Sequence, residues 1–377
     1  MSKVTLREAR FEEKDLQGIW ELKRQLLARN QSCSLTEFVH MCRHKWLDNP
    51  SRTPDHIFGW VLESPKDGIV GFVGLVPVRM KIRNRELVGT CGTTFMVAPA
   101  YRVHSLMLYK RFLGWGEKQF LLDTTSNKVG NKLNTFGMTR IPVANFDRYL
   151  LWPIQPEVAI KWRLDNSAWR NWVSLFNRAP FTWLLKAGAR VRFARHRRVR
   201  FSGATLPVEQ VKEFTDEFTQ FWIDHKTEYG ITTVRDRTYL QWRYLNGPAV
   251  SGINSVFACR ENGRLCGYLV MIEIDAKEGL CSPGRYRVID VFYNRSRTDV
   301  VYSLMNHAFE FAKARGCSVF EVAGVSKELA DMLLALQPYV RQSESWTYWY
   351  KVPTQELAEA FRREVWWPSG SDGDANF

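Results

Sequence analysis

The chain runs to 377 residues, 45% of them hydrophobic and 24% charged; at roughly 150 residues per domain this is material for two or three packed domains, which excludes both a single small module and an intrinsically disordered chain. Its 53 Lys and Arg against 39 Asp and Glu leave a formal net charge of +14. The excess is concentrated: Lys161–Arg200 carries eleven basic residues and one acid, Asp165.

The first residues, MSKVTLREARFEEKDLQ, mix both charge signs and hold no apolar core of a secretory signal. A cytoplasmic protein is expected. Residues 4–10 alternate apolar and polar as a half-buried strand does, and Asp15–Leu27 carries Leu16, Ile19, Leu22 and Leu26 at helical spacing. A second helix over Leu35–Leu47 is ended by Asn49-Pro50. It places His40 and His44 on one face, but two imidazoles do not make a metal site, and no metal is expected. The period then changes to two: His56–Glu63 and Ile69–Ile82 read as strands joined at Asp67-Gly68, and Glu86–Val97 completes a meander. A helix over Ser105–Lys118, a short apolar strand Phe120–Asp123, a helix from Ser126 to Phe136 stopped by Gly137, and a strand Thr139–Leu151 follow.

Beyond the basic stretch the same order returns. Arg200–Leu206 reads as a strand, Val208–Lys226 and Arg235–Tyr244 as helices, and Ser255–Arg260, Leu265–Ile274 and Tyr286–Tyr293 as a second meander. Helices Thr298–Ala314 and Lys327–Leu336 bracket the strand Ser318–Ala323, and Glu344–Val352 is a last strand. The tail, ending SGSDGDANF, reads as frayed. The expected division is 1–154, a connector 155–199, a second domain 200–353 and a tail 354–377. The seven cysteines are scattered without a CxxC pair and read as reduced thiols, Cys91 as a buried structural one. No run approaches the roughly 18–20 apolar residues of a spanning helix.

The order β-α-α-β-β-β-α-β-α-β resembles the GNAT superfamily of N-acyltransferases. The residues that carry the resemblance are Gly71–Val78, then Gly92-Thr93 through Val97-Ala98-Pro99-Ala100-Tyr101-Arg102, and the segment Asn127–Gly137. Thr238–Tyr244 through Asn246-Gly247-Pro248 looks like a segment of bacterial double-domain members. The resemblance covers about residues 4–352. It implies an α/β (α+β) fold class: two tandem acyl-CoA N-acyltransferase-like domains, each a mixed, largely antiparallel sheet flanked by helices. It also implies coenzyme A, as acyl-CoA, for the donor substrate, with pantetheine lying where the strands Glu86–Val97 and Phe120–Asp123 splay. The pyrophosphate would rest on the start of the helix at Ser105, where unpaired N–H groups and the helix dipole favour an anion. Donor contacts are thus expected from Val97, Ala98, Arg102, Ser105, Leu106 and Asn127. The family's glycines in that loop are replaced by Ser105 and Met107, and its usual tyrosine after the splay by Asn134.

Asp123 ends a buried strand at the splay and is the candidate base for the amine, the ordinary alternative being an anchor for its neighbours. His104 is a second candidate base or phosphate ligand, against the alternative of a plain loop histidine. With Asn134 in the tyrosine position, these complete the expected catalytic set. In the second domain Asp290 and Glu321 lie in apolar strands, and either face a pocket or pair with Arg243 or Arg287. Trp242, Arg243 and Asp290 are the candidate acceptor-binding residues, with core packing as the plain explanation of Trp242.

The basic segment interleaves its cations with Trp162, Trp169, Trp172, Phe176, Phe181, Trp183 and Phe193. That composition suits an anionic membrane surface, a nucleic acid, or a linker whose aromatics pack on both domains. The expected function is N-acyl transfer from acyl-CoA, or from an acyl-carrier protein, to a primary amine presented at a membrane: a lipid amine such as a long-chain base, or an amino sugar. The alternatives are an aminoacyl-tRNA-dependent peptidyl transferase, with the basic segment on tRNA, and a non-catalytic binding protein. Peripheral contact at the inner face of a membrane goes with the first.

Overall fold

The computed structural model describes residues 4–26, 33–125, 133–143, 148–158, 181–194, 203, 206–247, 254–274, 284–342 and 347–372. Two sheets organise them. The first contains β1 (Thr5–Glu8), β2 (Gly59–Ser64), β3 (Gly68–Ile82), β4 (Arg85–Val97), β5 (Leu121–Thr125) and β6 (Thr139–Arg140), in the order β1-β2-β3-β4-β5-β15-β6. Here β15 is the distant strand Thr347–Lys351, and β9 (Ile231–Thr233) adds to β3. The second sheet runs β14-β7-β13-β12-β11-β10-β8. Its strands are β7 (Arg148–Pro153), β8 (Val208–Val211), β10 (Asn254–Glu261), β11 (Arg264–Ile274), β12 (Arg285–Tyr293), β13 (Val319–Ala323) and β14 (Tyr339–Gln342). Both are mixed and largely antiparallel: β4–β5 and β12–β13 are the parallel pairs among the described strands.

Local chemistry places the elements near where the sequence puts them. Helix α1 (Glu13–Leu26) buries Leu16, Ile19 and Leu22 on one stripe against Val61, Phe72 and Val76 of the sheet. Ser34 and Glu37 close a reciprocal capping box that starts α2 (Leu35–Cys42). Gly68, at φ +67, supplies the left-handed turn between β2 and β3. In the second half Thr298–Ala314 is a helix with the expected bounds.

The sheets are not divided as the chain is. The expected strand Thr139–Leu151 is two: β6 stays in the first sheet, while β7 crosses to pair with β13 and β14 of the second. In return β15, at the far end of the chain, pairs with β5 and β6. A cut at 154 and 353 therefore separates the second sheet from β7 and the first from β9 and β15. Val208–Val211 is a strand rather than the start of a helix, which runs Asp216–His225; Val208 and Val211, at i and i+3, mimic a helical stripe. The expected strand Arg200–Leu206 falls mostly outside the described residues.

The tail is not frayed through Asp372. A helix Gln355–Arg363 leads to Trp366 and Trp367, both buried, and Ser369, Ser371 and Asp372 are buried as well. Thr233 Oγ1 donates to Asp372 Oδ1 at 2.7 Å, Arg243 Nη2 to the Ser371 carbonyl at 3.0 Å, and the Tyr244 and Ser371 hydroxyls share a 2.6 Å bond. Polar composition suggested solvent; satisfied hydrogen bonds keep these residues inside.

The duplication also leaves a short sequence trace. Lys45-Trp46-Leu47-Asp48-Asn49-Pro50 and Arg243-Tyr244-Leu245-Asn246-Gly247-Pro248 match in kind. In both copies the residues entering the match form a π-helical turn, Arg43–Leu47 and Gln241–Leu245. The two turns meet: Trp242 Nε1 donates to the His44 carbonyl, and the rings stack.

Candidate functional site

In the first sheet β4 and β5 pair only at Thr90–Leu121 and Cys91–Leu122, then part. Two features open the gap. A bulge interrupts β3–β4, where Phe72 pairs with Met96 and Gly74 with Thr93, so that Thr94 and Phe95 oppose Val73 alone. Thr94 sits there at φ +55, a left-handed conformation that costs a β-branched residue on the order of 1–2 kcal/mol and recurs at functional sites. Below the gap Gly92 has no side chain, and a Cβ there would fall 2.5 Å from Phe112 Cζ and 3.4 Å from Asp123 Oδ1.

The result is a cleft of about 620 Å³ between β4, β5 and helix α3 (Ser105–Trp115). Its walls are mostly apolar, including Val73, Phe95, Leu106, Phe112, Leu133 and Phe136, with Asp123 and the Thr93, Thr94, Thr124 and Thr125 side as its polar face. Phe95, Leu106 and Phe136 are all more than a third exposed, and Met107 beside them is too. Large apolar side chains left in water around one opening mark a binding mouth rather than a core.

Tyr109, on α3, also lines the cleft. Phe95 and Phe136 meet its ring edge-on at 5.6 and 5.4 Å. Its hydroxyl is buried and, among the described residues, has no hydrogen-bond partner. Burial, and then the negative charge of Asp123, push the phenol well above its ordinary pKa, so it stays protonated.

The expected donor loop is built differently from an open cradle. Pro99–His104 is a 3-10 helix running directly into α3, and the Ser105 N–H bonds the Arg102 carbonyl. Ser105 is therefore the first residue of the helix, not its cap. The Ala98 N–H is likewise engaged by the Val70 carbonyl at 2.8 Å, and Val97 pairs with Gly71. Of the expected donor contacts, Ser105 and Leu106 line the cleft, while Arg102 is exposed on the loop. Asn127 lies outside the described residues. Among the catalytic candidates only Asp123 is in the cleft wall; His104 stays on the loop, 6.5 Å ring to ring from Tyr101, and Asn134 is exposed, its carbonyl accepting from Gly137 N–H. Tyr109 lines the cleft from α3, not from the segment after the splay where the resemblance places a tyrosine. The i, i+3 spacing of Leu106, Tyr109 and Phe112 was the signal that it shares their face.

No protein-family model matches the chain, and no curated protein sequence does. Solved structures do. Saccharomyces cerevisiae N-myristoyltransferase with bound myristoyl-CoA aligns at TM-score 0.54 and 10% identity, over 93% of this chain and 79% of that one. A probable N-acyltransferase of Enterococcus faecalis V583 aligns at TM-score 0.57 and 11% identity, over 95% and 75%. A GCN5-related N-acetyltransferase of Anabaena variabilis aligns at 0.55 and 11%, over 93% and 73%. The chain has the GNAT N-acyltransferase fold, in two copies. The expected fold class holds.

The second GNAT copy has the same splay and fills it. There β12 and β13 pair from Arg285–Val319 to Val288–Val322, and a bulge at Ile289 matches that at Thr94. The tail enters the gap. A Cβ on Gly370 would stand 3.0 Å from the Ala323 carbonyl oxygen and 3.3 Å from Ile289 Cα. Asp290, one of the expected acceptor residues, is an internal counter-ion. Arg235 reaches both its oxygens, at 2.9 and 3.1 Å, and Tyr244 donates to it at 2.9 Å. Neither Arg243 nor Arg287 is its partner; Arg287 and Arg285 pair with Glu321 instead. Arg243 is buried beside Ser371, and Trp242 is buried too, though it borders a polar recess with His44, Asp48, Asp216 and Arg237. Cys91 is fully buried.

Of the basic segment, residues 181–194 are described, with a helix over Phe181–Arg192. Ala189 and Phe193 anchor it, Phe193 against Tyr339 at 5.6 Å, while Trp183, Arg190, Val191 and Arg192 face out. Among the described residues no helix is long and apolar enough to cross a membrane.

Proposed function

We propose that the protein transfers an acyl group from coenzyme A to a primary amine, with the donor held in the β4–β5 cleft of the first copy. The observation that carries this reading is that cleft: an open, apolar slot with one carboxylate on its wall, in the place a GNAT fold provides for a thioester. Its counterpart in the second copy is filled by Gly370. One donor site per chain follows.

Asp123 takes the proton of the attacking ammonium or amine, and the confined cleft holds nitrogen and thioester carbon in register. The bulge at Thr94 breaks the regular ladder beside the cleft, which supports a role for the β4 backbone in polarising the acyl carbonyl. The exposed ring of Phe95, Leu106, Met107 and Phe136 favours a hydrophobic acyl chain or acceptor over small polar ones. Exposed Trp183 on a helix with Arg190 and Arg192 fits an acceptor at an anionic membrane surface, a lipid amine or a lipid-linked amino sugar.

The test is thiol release from acetyl-, octanoyl- and myristoyl-CoA with sphingosine or glucosamine as acceptor, run with and without anionic vesicles. Turnover rising with chain length and with vesicles is expected. No thiol release from any pair ends the enzyme reading. Capture of tRNA in a gel shift, without sedimentation on vesicles, ends the membrane reading in favour of a tRNA-linked donor.

A further inference from the structure

The cleft and its mouth suit different halves of a donor. A pantetheine arm is long, narrow and mostly apolar, and the slot between β4 and β5 fits it. Coenzyme A adds a pyrophosphate and a nucleotide, which call for free backbone donors at the helix start. That end is closed here. The Ser105 N–H is spent on the Arg102 carbonyl, the Ala98 N–H on the Val70 carbonyl, and Val97 stays in the β3–β4 ladder. From Pro99 to Met107 there is no glycine to leave backbone open to phosphate oxygens.

What the mouth offers instead is a surface. Val103 is 75% exposed and Met107 41%. Neither lines the cleft, so an acyl chain held inside it covers neither. Met107, Lys110 and Arg111 stand at i, i+3 and i+4 on the outer side of α3, with Val103 one turn before them. Arg102, Lys110 and Arg111 are exposed, and none of them pairs with a carboxylate among the described residues. From Pro99 to Lys118 the single acid is Glu117, which Lys351 holds at 3.3 Å, and Asp67 beside the loop accepts from the Tyr101 hydroxyl. An apolar centre flanked by cations at the opening of a slot is the complement of an acidic protein face.

We propose that this face of α3 docks an acidic carrier protein, whose phosphopantetheine arm delivers the acyl thioester into the cleft. The proposal deepens the acyl-transfer reading above and rests on it. Such an arm ends in one phosphodiester on the carrier, so the closed loop costs it nothing. Acyl-CoA presents the same arm and remains a donor, but gains no affinity from its nucleotide. The amine nitrogen bonds the acyl carbon, the C–S pair leaves with the sulfur, and the proton given up by the amine ends on that sulfur. Amide and a carrier with a free thiol are the products.

The experiment offers the myristoyl group to sphingosine on three donors: an acidic acyl-carrier protein, coenzyme A and pantetheine. Amide should form from all three, with similar kcat/KM for coenzyme A and pantetheine and a value about 10-fold or more higher for the carrier. Salt at about 0.5 M should remove most of the carrier's advantage. Val103→Glu combined with Lys110→Glu should abolish that advantage and leave turnover of myristoyl-CoA unchanged, which also reports an intact fold. Coenzyme A far better than pantetheine would give the nucleotide a site of its own and overturn the proposal. So would a carrier no better than pantetheine, or an advantage that survives the double substitution. A stimulation by anionic vesicles that the double substitution abolishes overturns it too, because the face would then dock on lipid. Amide from coenzyme A and pantetheine alone removes the carrier and leaves acyl transfer standing; no amide from any donor ends both.

Discussion

Trp242 donates its indole N–H to the carbonyl of His44 at 2.9 Å, and the two rings stack with centroids 5.1 Å apart. Each residue belongs to the π-helical turn of one copy, so this pair joins the two copies at matching positions. It also buries an imidazole. Burial and the nearby Arg243 guanidinium lower the His44 pKa from 6.5 to about 4.

That shift has a signed consequence for stability. Between about pH 6.5 and 4 the unfolded chain holds a proton on His44 that the folded chain refuses, so stability is complete above this window and falls on acidification through it. The single group contributes at most about 3 kcal/mol. His56 and His307, both lowered chiefly by burial, act in the same direction. Urea denaturation of wild type at several pH values should show this slope, and His44→Phe, which keeps the stack, should flatten it. An equal slope in the variant would assign the acid sensitivity elsewhere.

Among the described residues the most deeply buried ion pair is in the second copy, Arg235 with Asp290, both about as inaccessible as the surrounding core. Asp290→Asn would leave a buried guanidinium with Thr232, Thr233 and only the more distant charge of Asp372. The expected loss is about 3–5 kcal/mol by chemical denaturation. Arg235→Met with Asp290→Leu should recover part of it, because both desolvation costs vanish together. If Asp290→Asn instead loses activity at full stability, the residue serves a substrate and not the core.

Most of the element order was legible, because it rests on local periodicity. The meanders, α1 and Thr298–Ala314 each bury a stripe that the sequence displays at the proper spacing. The exchange of β7 and β15 was not legible: both strands are apolar on both faces, and nothing in Arg148–Pro153 says which sheet edge it will meet. The buried tail was hidden for a related reason, since Ser369, Ser371 and Asp372 look solvent-bound until Thr233, Arg243 and Tyr244 are brought to them. At the cleft, Asp123 was readable from its place at the end of an apolar strand. The place of Tyr109 on its wall was not, because helical spacing shows which residues share a face and not that the face borders a cleft.

The filled second cleft makes a stoichiometric prediction. Gly370 lies against backbone on both sides, so Gly370→Val has no flexible neighbour to displace and should cost about 1–3 kcal/mol. Calorimetry with myristoyl-CoA should give one donor bound per chain in wild type. Two equivalent donors per chain would mean that the tail leaves the gap in solution, and the assignment of the chemistry to the first copy would lose its main support.

Within the first cleft, two neighbouring substitutions should separate chemistry from binding. Asp123→Asn keeps the size of the side chain and removes the acceptor, so acyl transfer should fall about 100-fold or more while donor affinity stays within a few-fold. Gly92→Ala does the opposite. Its Cβ would press on Phe112 and narrow the slot beside the carboxylate, so donor Kd should rise while the acid–base groups remain. Phe112 is buried in the first core and cannot simply swing away, so a loss of thermal stability should accompany the weaker binding. Measuring donor Kd by calorimetry and kcat by thiol release on the same preparations distinguishes the two. If Asp123→Asn weakens donor binding as much as it slows turnover, Asp123 is an anchor of the β5 end, and the amine proton must leave by another route.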